Sequence, residues 1–181
     1  MNKFKAPFLI NNTIEPYLTG KLFSNYEKFF FDSKSYIPNR VDLLESLLKD
    51  KVVLHFGCCD HEDLIEEKIR DKSHLQVKLS NIATKCIGVD IDRDALAKLK
   101  SLNVNNCYYY NLYESIDPEL ENESYDVVLL GEILEHIADP VQFLGKIKTK
   151  FKNAKEIIIT VPNAFNSQNF HNIKLGIEEI N

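Results

Sequence analysis

The apolar positions change period repeatedly along the chain, and the changes outline its elements. Val41, Leu43, Leu44, Leu47 and Leu48 fall at helical spacing behind Pro38 and Asn39, which predicts a helix from Asn39 to Leu48. Lys51 to Phe56 (KVVLHF) is a short apolar run closed by Gly57 and predicts a buried strand. Glu62 to Leu79 contains a helix, interrupted or extended around Asp71 to Ser73. Lys85 to Asp92 (KCIGVDID) predicts a second strand, and Arg93 to Leu102 a helix with Leu96, Leu99 and Leu102 on one face. Cys107 to Tyr110, Tyr125 to Leu130 (YDVVLL) and Glu156 to Val161 (EIIITV, stopped by Pro162) predict three more strands. Between the last two, Ile133 to Ile137 and Pro140 to Phe151 are predicted helical. Strands apolar on both faces that alternate with helices imply an α/β domain, a doubly wound, mostly parallel sheet covered on both sides. Such sheets bind ligands beyond the carboxyl ends of their strands. The segments to watch are therefore Gly57 to His61, Asp90 to Asp92, Tyr110 to Leu112, Gly131 to His136 and Pro162 to Phe165.

Composition narrows the chemistry. The 181 residues, 44% hydrophobic and 27% charged, suit one globular domain, expected at 51–181, behind a helical extension at 1–50. The extension is rich in aromatics (Tyr17, Phe23, Tyr26, Phe29, Phe30, Phe31, Tyr36), which serve either as core or as a lid. Acids outnumber bases 27 to 22, and the formal charge of -5 argues against a partner bound through nucleic-acid phosphates. A small-molecule substrate fits better. Four cysteines, Cys58, Cys59, Cys86 and Cys107, show no CxxC spacing, so they are expected as reduced thiols in a cytoplasmic protein and not as a disulfide framework or zinc cage. The first residues carry only the short apolar run Ala6 to Ile10, and no stretch approaches the roughly 20 apolar residues of a membrane span, so neither a signal peptide nor a transmembrane segment is expected. Oligomeric state is not legible.

Glycine is scarce: six, against roughly 13 at the usual frequency of about 7%. One of the six, Gly57, follows the first strand, and Gly88-Val89-Asp90 ends the second. A glycine there lets a ligand approach the backbone, and an acid at the end of the second strand suits ribose hydroxyls, so an adenosine-containing cofactor is expected. A dinucleotide fingerprint fails, because its second and third glycine positions hold Cys59 and Glu62. That demotes an NAD(P)-linked oxidoreductase.

The same segments carry a resemblance. Val53-Leu54-His55-Phe56-Gly57-Cys58, Gly88-Val89-Asp90-Ile91-Asp92, Tyr125-Asp126-Val127-Val128 with Gly131-Glu132-Ile133-Leu134-Glu135-His136 and Asp139-Pro140, and Thr160-Val161-Pro162-Asn163 resemble the motifs of class I S-adenosylmethionine-dependent methyltransferases. The likeness runs from about Arg40 to Asn163. LHFGCCDH, the stretch from His74 to Asp90 and NRVDLLESL are similar to bacterial members associated with surface-polysaccharide biosynthesis. The resemblance implies a Rossmann-like methyltransferase fold; only 18 residues follow Asn163 in the 181, so the sheet is expected without the family's C-terminal hairpin. It implies S-adenosylmethionine as cofactor and S-adenosylhomocysteine as product. Gly57 and Cys58 would lie along its methionine part and ribose, Asp90 on the ribose hydroxyls, Ile91 on adenine, Asn111 near the adenine amino group, and Leu112 against the ring. Gly131 and Glu132 would close the site beneath the sulfonium. His55, Cys59 and His61 stand where the family has an acid and its second and third glycines.

The implied reaction is methylation of a small molecule, expected to be O-methylation of a sugar or surface-glycan precursor. The alternative is a degenerate methyltransferase-like domain serving as a binding or interaction module. His136 is the candidate general base, since an imidazole suits proton removal near neutrality; otherwise it caps or packs its helix. Glu132, Glu135 and His136 at i, i+3 and i+4 would share a helical face and hold a divalent metal, or be acids favoured near a helix start. The second reading is cheaper, so no metal is expected. Asp60 and His61 either contact the cofactor or begin the helix. His55 is expected as a satisfied core histidine, and Cys58 and Cys59 as packing residues. His171 and the tail from Phe165 either reach the acceptor or fray.

Overall fold

The computed structural model describes residues 15–23, 39–163 and 166–176. Tyr26, Phe29, Phe30, Phe31, Tyr36 and Phe165, named above, lie outside the described residues. The chain divides into two compact units, 1–43 and 44–181. In the first, α1 (Glu15–Leu18) is a single turn and Phe23 is exposed. Across the boundary runs α2 (Arg40–Leu48), whose start is capped by Asn39, its Oδ1 accepting from Val41 N at 2.8 Å.

The second unit is the α/β domain. Its elements in order are β1 (Val52–Phe56), α3 (Glu62–Arg70), α4 (Leu75–Ile82), β2 (Lys85–Asp90), α5 (Arg93–Ser101), β3 (Cys107–Tyr109), α6 (Pro118–Asn122), β4 (Val127–Gly131), α7 (Pro140–Lys150), β5 (Glu156–Thr160) and α8 (Ser167–Leu175). The sheet has five strands in the order β3-β2-β1-β4-β5, and every pairing is parallel. This is the expected doubly wound, Rossmann-like fold.

Period-two alternation along β1 and β4 builds a core on each face. Leu54, Phe56, Val128 and Leu130 pack with Val89, Tyr110, Phe143 and Phe151 on one side. Val53, Val127 and Leu129 pack with Leu44, Leu48 and Leu79 on the other. Both central strands are buried on both faces, as parallel sheets require.

Of the two alternatives for Glu62–Leu79 the structure takes the interrupted one: two helices, with Lys72 turning through φ +58° between them. Three other local outcomes differ from the sequence expectation. β2 stops at Asp90, two residues short of the expectation, because the Asp90 carboxylate accepts from Ile91 N and Asp92 N and turns the chain out of the ladder. Asp92 then caps α5, accepting from Asp94 N and Ala95 N. Ile133 to Ile137 is not an α-helix: only a one-turn 3-10 segment, Leu134–His136, forms there. Finally α6 and α8 were not anticipated; Asp117 and Asn166 cap them, and Gly176 ends α8 in the left-handed region.

Candidate functional site

The strand order reverses between β1 and β4, which places the ligand-binding crevice beyond their carboxyl ends. A cleft of about 250 Å³ opens there, lined in part by Gly57, Asp90, Ile91, Asn111 and Leu112. Five residues singled out from sequence are thus brought together. Its apolar wall includes Phe56, Tyr110, Ile133, Ile137 and Phe143.

The wall from β1 and β2 is built by backbone geometry. Gly57 sits at φ +69°, where a Cβ would stand 2.8 Å from Ile133 Cγ1, so both the conformation and the close approach call for glycine. Gly57 N and Cys58 N both donate to Val89 O, at 2.9 and 3.3 Å. Cys59 N donates to Asp90 Oδ2 at 2.9 Å, while Asp90 Oδ1 accepts from Ile91 N at 2.7 Å and from Asp92 N at 3.1 Å. An ionised carboxylate offers about four lone-pair sites. Three of those on Asp90 face backbone amides, leaving one for a ligand hydroxyl. Cys58 is buried, its side chain filling the space that Gly88 leaves open: a Cβ on Gly88 would lie 2.7 Å from Cys58 Cβ.

The floor is set from β3. Tyr110 donates its hydroxyl to Glu121 Oε1 at 2.7 Å, and Lys150 Nζ reaches Tyr110 Oη at 3.2 Å, Glu121 Oε1 at 3.0 Å and Ser115 O. Burial opposes charge on Glu121, but the bonds from Tyr110 and Lys150 outweigh it and hold the carboxyl below its usual range. Asn111 Oδ1 accepts from Tyr113 N at 3.0 Å, which uses one of that oxygen's two lone pairs and leaves the amide NH2 as the group's donor side.

Other sequence candidates lie outside the cleft lining. Asp60 pairs with Lys68, and His61 is the exposed N-cap of α3 with no side-chain capping bond. Glu132 follows β4 at φ +57°, left-handed and unusual for a residue with a Cβ, and its N–H donates to Thr160 O at 3.0 Å. Glu132 is therefore not helical, and the shared helical face expected for Glu132, Glu135 and His136 does not form. The His136 side chain is exposed on the 3-10 turn, next in sequence to the lining residue Ile137. Gly131 ends β4 in register with Thr160, and His171 is exposed on α8. His55 is a core histidine, its Nδ1 2.9 Å from Gln76 Oε1. What sequence reasoning missed is a thiol cluster. Cys58, Cys59 and Asp90 converge, and the neighbouring thiols of Cys107 and Cys59, with burial, raise the Cys58 pKa. No spacing rule links positions so far apart in the chain.

The family model described as a methyltransferase domain matches residues 26–177. A search of curated proteins returns no match. Among solved structures, the chain is similar to the plantazolicin methyltransferase BpumL in complex with SAH, at 17% identity and a TM-score of 0.46, covering 73% of this chain and 46% of that one. It is also similar to an S-adenosylmethionine dependent methyltransferase from Mesorhizobium loti, at 14% identity and a TM-score of 0.39, covering 61% of this chain and 46% of that one. A third likeness is to DhpI in its SAH complex, at 14% identity and a TM-score of 0.39, covering 61% and 49%. The chain spans less than half the length of each of these structures.

Proposed function

The chain belongs to the methyltransferase-domain family, and from that premise we propose that its cleft binds S-adenosylmethionine and transfers the methyl group to a small molecule. The supporting observation is that Gly57, Asp90, Ile91, Asn111 and Leu112, drawn from three strand ends, line one cleft at the reversal of strand order. On this reading residues 51–181 form the cofactor-binding domain and 1–50 an extension of it.

The donor set fits an adenosine sulfonium. Asp90 has one acceptor position left for a ribose hydroxyl, and Ile91, 65% exposed at the cleft, offers an apolar face to a purine. Leu112 and Phe143 add apolar surface on the same cleft. Asn111 offers its amide NH2 to a ring nitrogen of adenine and keeps one lone pair on Oδ1 for the adenine amino group. Cys58 follows Gly57 in the chain and is buried, while Asp60, His61, Gly131 and Glu132 stand at or just after the ends of β1 and β4, outside the cleft lining, and their place on the cofactor rests on the family resemblance. When bound, the cofactor supplies an electrophilic methyl group. The chain's part is to hold donor and acceptor in line and to shed water from the apolar wall. Proton removal from a hydroxyl acceptor falls to His136, adjacent to the cleft wall.

The acceptor we favour is a hydroxyl of a sugar or surface-glycan precursor, on the strength of the LHFGCCDH and NRVDLLESL resemblance. A cytoplasmic setting accords with four free thiols. Among the described residues no helix is long and apolar enough to cross a membrane. Calorimetric titration with S-adenosylhomocysteine tests the cofactor assignment: saturable heat that Asp90→Ala abolishes supports it. No heat from the folded chain would instead favour a non-catalytic binding module, a reading consistent with Cys59 and His61 in place of glycines and with three amides already on Asp90.

A further inference from the structure

We propose that Cys58, Cys59 and Asp90 form a binding site for a thiophilic divalent cation of the zinc class, ligated by two sulfurs and one carboxylate oxygen. The three ligand atoms all lie within 4.8 Å of one another. A triangle no larger than that on a side has a point within about 2.8 Å of every corner, since 4.8 divided by the square root of three is about 2.8. Zinc sits about 2.3 Å from thiolate sulfur and 2.0–2.2 Å from carboxylate oxygen. Shifts of about 0.5 Å on each sulfur and about 0.6 to 0.8 Å on the carboxylate oxygen would close the site.

Three features of the fold hold the ligands there. The Cys59 N–H bond to Asp90 Oδ2 ties the loop after β1 to the end of β2 and keeps the Cys59 backbone beside that carboxylate. Oδ2 accepts only that one amide and keeps a lone pair, whereas Oδ1 accepts two. Gly88, having no Cβ, gives the Cys58 side chain its place across β2, and the Cys58 thiol there meets Cys107. Cys58 is buried while Cys59 and Asp90 are half-buried, which leaves an open side for entry and a fourth ligand. Two sulfurs in the set select a soft or borderline cation over Mg²⁺ or Ca²⁺, which take oxygen ligands. As each metal–sulfur bond forms, the S–H bond breaks and its proton passes to solvent.

The site shares Asp90 with the cofactor cleft, and because Asp90 has one acceptor position left, cation and ribose hydroxyl compete for it; the test needs no nucleoside and so reads independently of the methyltransferase assignment. The full chain, reduced with a phosphine, is titrated with Cd²⁺ alone while sulfur-to-cadmium charge-transfer absorbance is followed. A band that saturates at a single equivalent and is displaced by Zn²⁺ is expected. Cys59→Ser should weaken binding by at least the roughly 10- to 100-fold that loss of a more remote partner causes, and Asp90→Asn should weaken it without removing the band. Cys86→Ser, outside the set, should leave it unchanged. Because Cys58 is buried, Cys59→Ser decides the matter if Cys58→Ser fails to fold by circular dichroism. Absence of a saturable band, or a band unaltered in Cys59→Ser, overturns the site.

Discussion

At the ends of β1 and β2 the chain is held by its own bonds: Gly57 and Cys58 donate to Val89 O, and Asp90 gathers the amides of Cys59, Ile91 and Asp92. At the ends of β4 and β5 the backbone leaves the sheet through left-handed Glu132 into a 3-10 turn, and Ile157, Ile159 and Val161 are exposed. The first region is pre-formed and would meet its ligand with little rearrangement. The second holds backbone strain and unburied apolar surface, as regions that receive a variable partner often do. The cofactor half of the proposed site is thus written into local geometry, and the acceptor half is not.

Substitutions at four positions sharpen or break that contrast. Phe56→Ala should have the largest effect. Phe56 is 5% exposed and packs edge-on against Tyr110, Phe143 and Phe151 beneath the cleft. Thermal or denaturant unfolding should show a loss of about 3–5 kcal/mol. Next, at residue 132, the Gly variant should exceed the Ala variant in stability by about 1–2 kcal/mol, because only the latter keeps a Cβ in the left-handed region. Equal stabilities would mean that the acceptor side is not strained.

A third test concerns pH. His74 is 2% exposed, neither ring nitrogen has a hydrogen-bond partner among the described residues, and burial pushes its pKa down. The unfolded chain therefore binds a proton more readily than the folded one. His74's contribution is in place above the unfolded pKa of about 6.5 and is lost as pH falls below it. Urea unfolding across that range should show the loss, and His74→Leu should flatten it while adding on the order of 1 kcal/mol at neutral pH. The smallest effect belongs to Ile159→Ala on β5, whose side chain is 43% exposed. It should cost well under the Phe56 value, about 0.5 kcal/mol. A cost comparable to Phe56→Ala would erase the distinction between the two regions.

Much of the fold was legible because its central strands are continuous apolar runs. KVVLHF and YDVVLL read as buried strands and are buried. α6 escaped because Pro118–Asn122 is a five-residue acidic turn with one apolar residue, Leu120, too short to show a period. Ile133 to Ile137 misled in the opposite direction: its spacing is helical, but Glu132 N bonds to Thr160 O and draws the backbone out of helical geometry. The cleft residues were legible by position, since they follow strand ends. Their hydrogen bonds were not, because nothing in the residue types says that three amides would occupy Asp90 before any ligand. The thiol cluster depends on β2 lying between β1 and β3 and on the gap at Gly88, both tertiary facts.

The most direct test of a pre-formed cofactor wall is a ¹H–¹⁵N amide titration of the full chain with S-adenosylhomocysteine. The amides of Gly57, Asp90, Ile91, Asn111 and Leu112 should shift together and saturate at one concentration, with those of Ile157 and Ile159 unmoved. Shifts confined to the groove between α5 and β3, around Leu96, Lys100 and Tyr108, or no shifts at all, would contradict it.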